Sequence, residues 1–461
     1  MFCPACGTRG ESGATSCRLC GKPFSANAPA PPAVAAPPLP ASVNEPQPAA
    51  SHAHSHSPAH LVQSLEERLR RLAGTEKLEG FSVAEMFSEV FKKHTPAELD
   101  EYFVTGTDRT TPRLEDVKAA WPKPWFFFRV LLFVVAMYLL FDYMIQEFGN
   151  PNAIPGLLFM GSLAVPLTVL VLFFELNVTR DVSFVGVLAL FASGAIVGFV
   201  FTHLLHNILA SSLSWMGHSV AGIVEEIAKL LAVVVIVGRR KHRFILNGIL
   251  FGAAVGAGFA VFESMGYAFV DFRDAFLIYT ADKIQHFITH TAGVEVQDIL
   301  NYLQTIMVAP QDFRPDQGAL EAMIGTIQLR AWLSPFGHVA WTAIAAGALW
   351  RVKGSRDFEV RMVFQPLFLR LFMIPVVLHM IWDLPWLLFT AKFLGTVNPP
   401  AWPEHVVHLC LGILGWFIVL GLVQQGLHQV KTAQIALTQA ALQQAKALPQ
   451  VQSPTLSPAV N

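Results

Sequence analysis

Residues 216–237 read MGHSVAGIVEEIAKLLAVVVIV, and this stretch decides the fold class. An apolar run of this length matches what a helix rising about 1.5 Å per residue needs to cross a hydrocarbon layer of about 30 Å. It carries Glu225, Glu226 and Lys229 near its middle. On insertion scales each such group costs roughly 2.5–3.5 kcal/mol at a helix centre, so the three face a cavity or one another rather than lipid. The run ends at Gly238 and a basic cluster, Arg239 to Arg243, of the kind that stays on the cytoplasmic side.

On either side of it the chain continues in the same style. We place about eight spans, near residues 125–146, 154–174, 183–203, 216–237, 244–269, 333–351, 366–389 and 403–424. The predicted fold is therefore all-α, a polytopic transmembrane bundle over residues 121–426. Composition agrees: 53% of the 461 residues are hydrophobic and 14% charged, against about 25% charged in soluble domains. A net charge of −1 argues against a nucleic-acid partner, which would need a basic face, and none is expected. A second basic loop, with Arg351, Lys353, Arg356 and Arg361, joins the sixth and seventh spans. Both basic loops and both termini are expected in the cytoplasm of a multi-pass inner or plasma membrane protein. The segment 270–332 is then expected outside, with amphipathic stretches near Ile284–Val308 and Leu320–Leu329 lying on the outer surface and gating access.

Ahead of the spans, Cys3-Pro-Ala-Cys6 and Cys17-Arg-Leu-Cys20 give four thiolates at zinc-ribbon spacing, so residues 1–24 are predicted to hold one structural zinc. Met1–Phe24 has no continuous apolar stretch of the signal-peptide kind, so the first span, near Trp125, is expected to serve as the insertion signal. Residues 25–60 are Ala/Pro-rich and read as a linker, with His52, His54 and His56 a solvated tract. Residues 61–120 read as a cytosolic helical module, with helical stretches at Val83–Lys93 and Pro96–Phe103. Residues 427–461 read as a helical, then disordered, tail.

The informative feature is where ionisable residues interrupt the spans. Beside Glu225-Glu226-Ile-Ala-Lys229 stand Phe259-x-x-x-Glu263-x-x-x-Tyr267, His338-x-x-x-Thr342 and His379-x-x-x-Asp383. Residues four apart share a helix face, so Glu225 with Lys229, Glu263 with Tyr267, His338 with Thr342 and His379 with Asp383 form pairs. Counting about 1.5 Å per residue from the outer end of each span, Glu225 lies about 12 Å deep, Glu263, His338 and Asp383 about 8–9 Å, and His379 about 15 Å. Four helices running in alternating directions thus place their polar groups in one layer. A ladder of Asn247-Gly248, Gly252 and Gly256 reads as close helix packing.

Taken together and in this order, these four motifs resemble those of the PrsW family of intramembrane proteases, distant relatives of the CAAX prenyl-endopeptidase/ABI superfamily. The resemblance covers roughly residues 125–424 and implies peptide-bond hydrolysis within or beside the membrane. Ser264 follows Glu263 where many relatives carry Asn. Relatives imply a single-span membrane protein as substrate, such as an anti-sigma factor.

No acyl-enzyme nucleophile is evident, because Cys410 stands apart from the motifs. The expected chemistry is attack by water, with Glu225 or Glu226 as general base tuned by Lys229. Glu263 then orients the water or acts as acid. His338 and His379 stabilise the oxyanion, and Asp383 holds the His379 tautomer. No catalytic cofactor is expected in that reading. A catalytic zinc held by glutamates and histidines from separate helices is the competing mechanism. A transporter with a polar relay and a non-enzymatic scaffold are the readings from other classes.

Overall fold

The computed structural model describes residues 67–107, 109–291, 293–308 and 317–447. The expected zinc ribbon, linker and chain end lie outside these residues. Two units divide the chain, and the larger, Leu72–Lys431, contains everything that follows except the last part of the final helix, residues 432–447. No strand occurs among the described residues, as the all-α expectation required. Of the helical module, Pro96–Phe103 is a helix, whereas Val83–Lys93 shortens to a single turn, Val83–Met86, capped by the Ser82 hydroxyl.

The bundle consists of α1 (Phe126–Phe148), α2 (Ile154–Leu176), α3 (Phe184–Leu213), α4 (Val220–Val237), α5 (Ile245–His290), α6 (Val296–Val308), α7 (Gln317–Leu333), α8 (His338–Lys353), α9 (Pro366–Trp382), α10 (Trp386–Leu394) and α11 (Trp402–Ala447). Five of these helices are long and apolar enough to cross a membrane, or six if the bent pair α9–α10 is one span. Two other expected spans fall short of that measure for physical reasons: Glu225, Glu226 and Lys229 interrupt α4, and α8 has only 16 residues. Both are largely shielded by neighbouring helices.

Helix α5 is the axis, and α8, α3, α7 and α2 pack against it. Its contact with α8 is set by glycine. A Cβ at Gly252 would stand 2.1 Å from the Thr342 carbonyl oxygen, and one at Gly256 would stand 2.3 Å from that of His338. Only hydrogen at these positions lets the two backbones approach so closely. That approach brings the start of α8, His338, beside the turns of α5 that lead to Glu263.

Buried polar groups tie the remaining helices. Glu175, near the end of α2, accepts hydrogen bonds from the backbone N–H groups of Trp125, Phe126 and Phe127 at 2.8–2.9 Å. A carboxylate there satisfies orphan donors of α1 and complements its dipole. At the arginine-rich end, Asp181 accepts from Asn247 Nδ2 at 2.6 Å and Thr179 Oγ1 at 2.6 Å, and lies 3.2 Å from His242 Nδ1. Lys353 Nζ donates to the Arg240 carbonyl at 2.8 Å, and Trp350 Nε1 to that of His242 at 3.0 Å.

Two expectations need correction. The seventh span, 366–389, is broken at Asp383-Leu384-Pro385, and α9 and α10 meet at a 50° bend. Pro385 has no N–H to continue the ladder and disfavours helical backbone at the residue before it. The segment 270–332 is also not a surface loop over the bundle. Helix α5 runs on to His290, and α7 packs through Leu320, Met323 and Ile327 against Ile145, Leu157 and Ala268.

Burial alone would raise the Asp181 carboxyl, but hydrogen bonds from His242, Thr179 and Asn247 outweigh it and hold its pKa below the usual value. Its stabilisation is therefore present above the unfolded carboxyl pKa of about 3.9 and lost as pH falls through the lower folded value. Asp181→Asn is expected to lower the melting temperature in detergent at neutral pH, with the deficit closing below about pH 4. Gly252→Ala should destabilise by roughly 1–3 kcal/mol through overpacking. Gly266→Ala, where a Cβ meets nothing within 4 Å, should be neutral or gain up to about 1 kcal/mol.

Candidate active site

Helix α4 starts after a tight turn, Ser214–Ser219, in which Gly217 takes φ 60° and ψ −137°. Six residues into the helix come the two glutamates, which point about 100° apart. Glu226 turns inward and has no exposed surface, as has Lys229. Lys229 Nζ donates to Glu226 Oε1 at 2.6 Å and stands 3.9 Å from Glu225 Oε2. The sequence reading joined Lys229 to Glu225. The tighter partner is Glu226, one turn away at i,i+3, because Lys229 bends toward the core side of α4.

Lys229 also donates to His338 Nδ1 at 2.8 Å and lies 5.0 Å from the centre of the Phe259 ring. With Nδ1 accepting, the His338 ring proton sits on Nε2, where it is donated to Glu263 Oε2 at 2.7 Å. His379 Nδ1 faces Glu226 Oε1 at 2.9 Å, and its Nε2 lies 3.3 Å from Asp383 Oδ2. The His379 ring is therefore oriented first by Glu226 and, at longer range, by Asp383. All seven residues singled out from the sequence, Glu225, Glu226, Lys229, Glu263, His338, His379 and Asp383, join one contact network. Thr342 does not take part: its carbonyl lies against Gly252 at the α5–α8 contact.

The network lines one side of a cavity of about 480 Å³. Glu225, Glu263, His338, His379 and Asp383 reach its surface, while Glu226 and Lys229 stand behind. Tyr267, Trp341 and Trp382 form aromatic walls, and the helix break at Asp383–Pro385 forms an edge. Non-helical backbone at this depth is tolerated because it lines a cavity. Breaking the helix leaves the Trp382 carbonyl free, and it takes a hydrogen bond from His408 Nε2 at 3.1 Å.

Each of the two glutamates keeps one buried oxygen without a hydrogen-bond partner, but only Glu225 also reaches the cavity. The Glu225 Oε2 looks at His379 Nε2 at 3.8 Å and His338 Nδ1 at 3.9 Å. Ligand atoms of Glu225, His338 and His379 lie within 4.8 Å of one another, close enough to share a metal ion. One carboxylate and two imidazoles form a donor set suited to zinc, and the second nitrogen of each ring meets a carboxylate.

Five ionisable cavity residues were not read from the sequence: His218, Arg330, Glu404, His405 and His408. Arg330 was hidden in a segment of mixed composition. The available signal was the stripe Ala319, Met323, Ile327, Arg330, whose spacing puts the arginine on the buried face of α7.

A family model described as PrsW family intramembrane metalloprotease matches residues 183–285 and 293–440. Since the match spans more than half of the chain and includes every one of these residues, the chain belongs to the PrsW family of intramembrane proteases. No curated protein and no solved structure matches it.

Removing one charge from the buried pair leaves the other uncompensated. Lys229→Met is expected to cost about 3–5 kcal/mol of stability, with much of it restored in Lys229→Met combined with Glu226→Gln. Thermal melting of the three proteins in detergent checks this.

Proposed function

We propose that this protease hydrolyses the spanning segment of a single-span membrane protein, with Glu225 as the general base on water. The observation that carries the assignment is that Glu225, unlike Glu226, lines the cavity, with its carboxylate facing His379 at 3.8 Å and His338 at 3.9 Å. Glu226 is excluded from that role by its position: it has no cavity surface and is bound to Lys229 and His379.

A water in the cavity beside the Glu225 carboxylate gives its proton to it as the water oxygen attacks the scissile carbonyl carbon. The oxyanion that forms is met by His379, whose ring lines the cavity and is kept in place by Glu226 at Nδ1 and Asp383 at Nε2. Collapse of the tetrahedral intermediate breaks the C–N bond, and the proton held by Glu225 passes to the leaving amine. Glu263 and Lys229 keep His338 in its Nε2–H form, so that its Nδ1 stays turned toward Glu225.

The family description favours a metal at Glu225, His338 and His379, and the donor types fit one. When bound, such an ion would supply Lewis acidity to water or carbonyl. Against that reading, the Lys229 ammonium stands 2.8 Å from His338 Nδ1, the nitrogen nearest Glu225. A second cation there meets direct repulsion, so the carboxylate–water reading is preferred.

Loop charge supports an orientation with both termini in the cytoplasm of the inner or plasma membrane, the polar layer then lying toward the outer leaflet. Cys3, Cys6, Cys17 and Cys20 would hold a structural zinc on the reducing side. Substrates of the anti-sigma type, with one span and an outer domain, suit that geometry.

The test is cleavage of a single-span substrate in liposomes. Glu225→Gln is expected to lower kcat by about 10²–10⁴-fold while leaving the melting temperature near wild type. With the four N-terminal cysteines changed to serine, a chelator should leave the rate unchanged. Loss of rate with chelator in that variant would assign catalysis to a metal instead.

A further inference from the structure

We infer that Arg330, carried by α7 from outside the four polar motifs, is a positioning residue that sets the His338 ring through Glu263. The inference rests on the proposed role of Glu225 and extends the same site.

Arg330 touches three side chains of one face of α5. Its Nη2 donates to Glu263 Oε2, its Nε donates to Ser264 Oγ at 3.0 Å, and its guanidinium lies 4.5 Å from the centre of the Tyr267 ring. Glu263 Oε2 is the same oxygen that takes the His338 Nε2–H. One carboxylate oxygen thus receives a guanidinium and an imidazole together. That fixes the carboxylate's rotation, and with it the direction in which His338 presents Nδ1 to Lys229 and Glu225.

The guanidinium suits this task because it is planar and donates from several fixed nitrogens at once, which an ammonium cannot reproduce. It also accounts for Ser264: a hydroxyl at that position is short enough to leave room for Arg330 and supplies the acceptor for Nε. The arginine is held in register by its own helix. Ile327 and Met323, one and two turns earlier on the same face, are buried against the α1–α2–α5 cluster, and Thr326 Oγ1 donates to Asp271 on α5. Arg330 also reaches the cavity, so a direct role in gripping substrate is the rival assignment, and kinetics separate the two.

The experiment measures kcat and KM for liposome cleavage of the single-span substrate by wild type, Arg330→Gln, Arg330→Lys, Ser264→Ala and the double variant Arg330→Gln/Ser264→Ala. Glu225→Gln is run beside them, and melting temperatures are taken for all. For Arg330→Gln, kcat should fall about 10–100-fold through misplacement of the reacting groups, with KM within about 2-fold. Arg330→Lys should recover part of the loss. Ser264→Ala should lower kcat less, and should add nothing further in the Arg330→Gln background, because both act through one contact. A rise in KM with unchanged kcat would make Arg330 a substrate-binding residue and overturn the inference, as would strictly additive effects of the two substitutions. If Arg330→Gln lowers the melting temperature, the decision falls to Ser264→Ala and Arg330→Lys. Activity retained by Glu225→Gln would count against the base assignment itself, whereas wild-type kcat in Arg330→Gln beside an inactive Glu225→Gln would count against the positioning role alone.

Discussion

The Lys229 ammonium has no exposed surface and satisfies itself on three groups: Glu226 Oε1, His338 Nδ1 and the face of Phe259. An ammonium has three N–H groups to place, and burial without partners would cost several kcal/mol. The neighbouring helices are bound by that demand. Glu226 must stay ionised and turned inward, His338 must present a lone pair from the start of α8, and α5 must bring Phe259 underneath. Since Glu226 also holds His379 on α9, one buried cation fixes the relation of α4, α5, α8 and α9.

This arrangement separates two kinds of carboxylate on adjacent residues. Each glutamate keeps an Oε2 that nothing binds, but Glu226 is held by Lys229 and His379 away from the cavity, whereas Glu225 reaches the cavity lining. The cavity exists because helical backbone stops there twice: α8 begins at His338 after Gly337, and α9 ends at Asp383 before Pro385. Ionisable groups, open volume and interrupted backbone therefore coincide in one place, where non-helical backbone is tolerated because it lines a cavity.

Much of this was legible in the sequence because the membrane imposes simple rules. Apolar length located the helices, and the expense of ionisable residues in lipid marked Glu225, Glu226, Lys229, Glu263, His338, His379 and Asp383 as a set. The small-residue ladder marked a close helix contact on α5, and the structure supplied α8 as its partner. What pattern alone does not encode is direction around a helix when two acidic residues are adjacent, so the identity of the exposed glutamate waited for the packing of Lys229. Arg330 escaped for another reason: α7 is short and mixed in composition, and its buried face is defined only by what α1, α2 and α5 offer it. The break at Pro385 was written in the sequence but outweighed by the apolar run around it.

The most direct test of a water activated inside the bundle is mass spectrometry of the products formed from a single-span substrate in liposomes made up in H2(18)O. Cleavage within the membrane segment, with one 18O in the new carboxyl terminus, is the result expected of Glu225 working at the depth of this cavity. A cut confined to the soluble part of the substrate, away from the membrane, would contradict it.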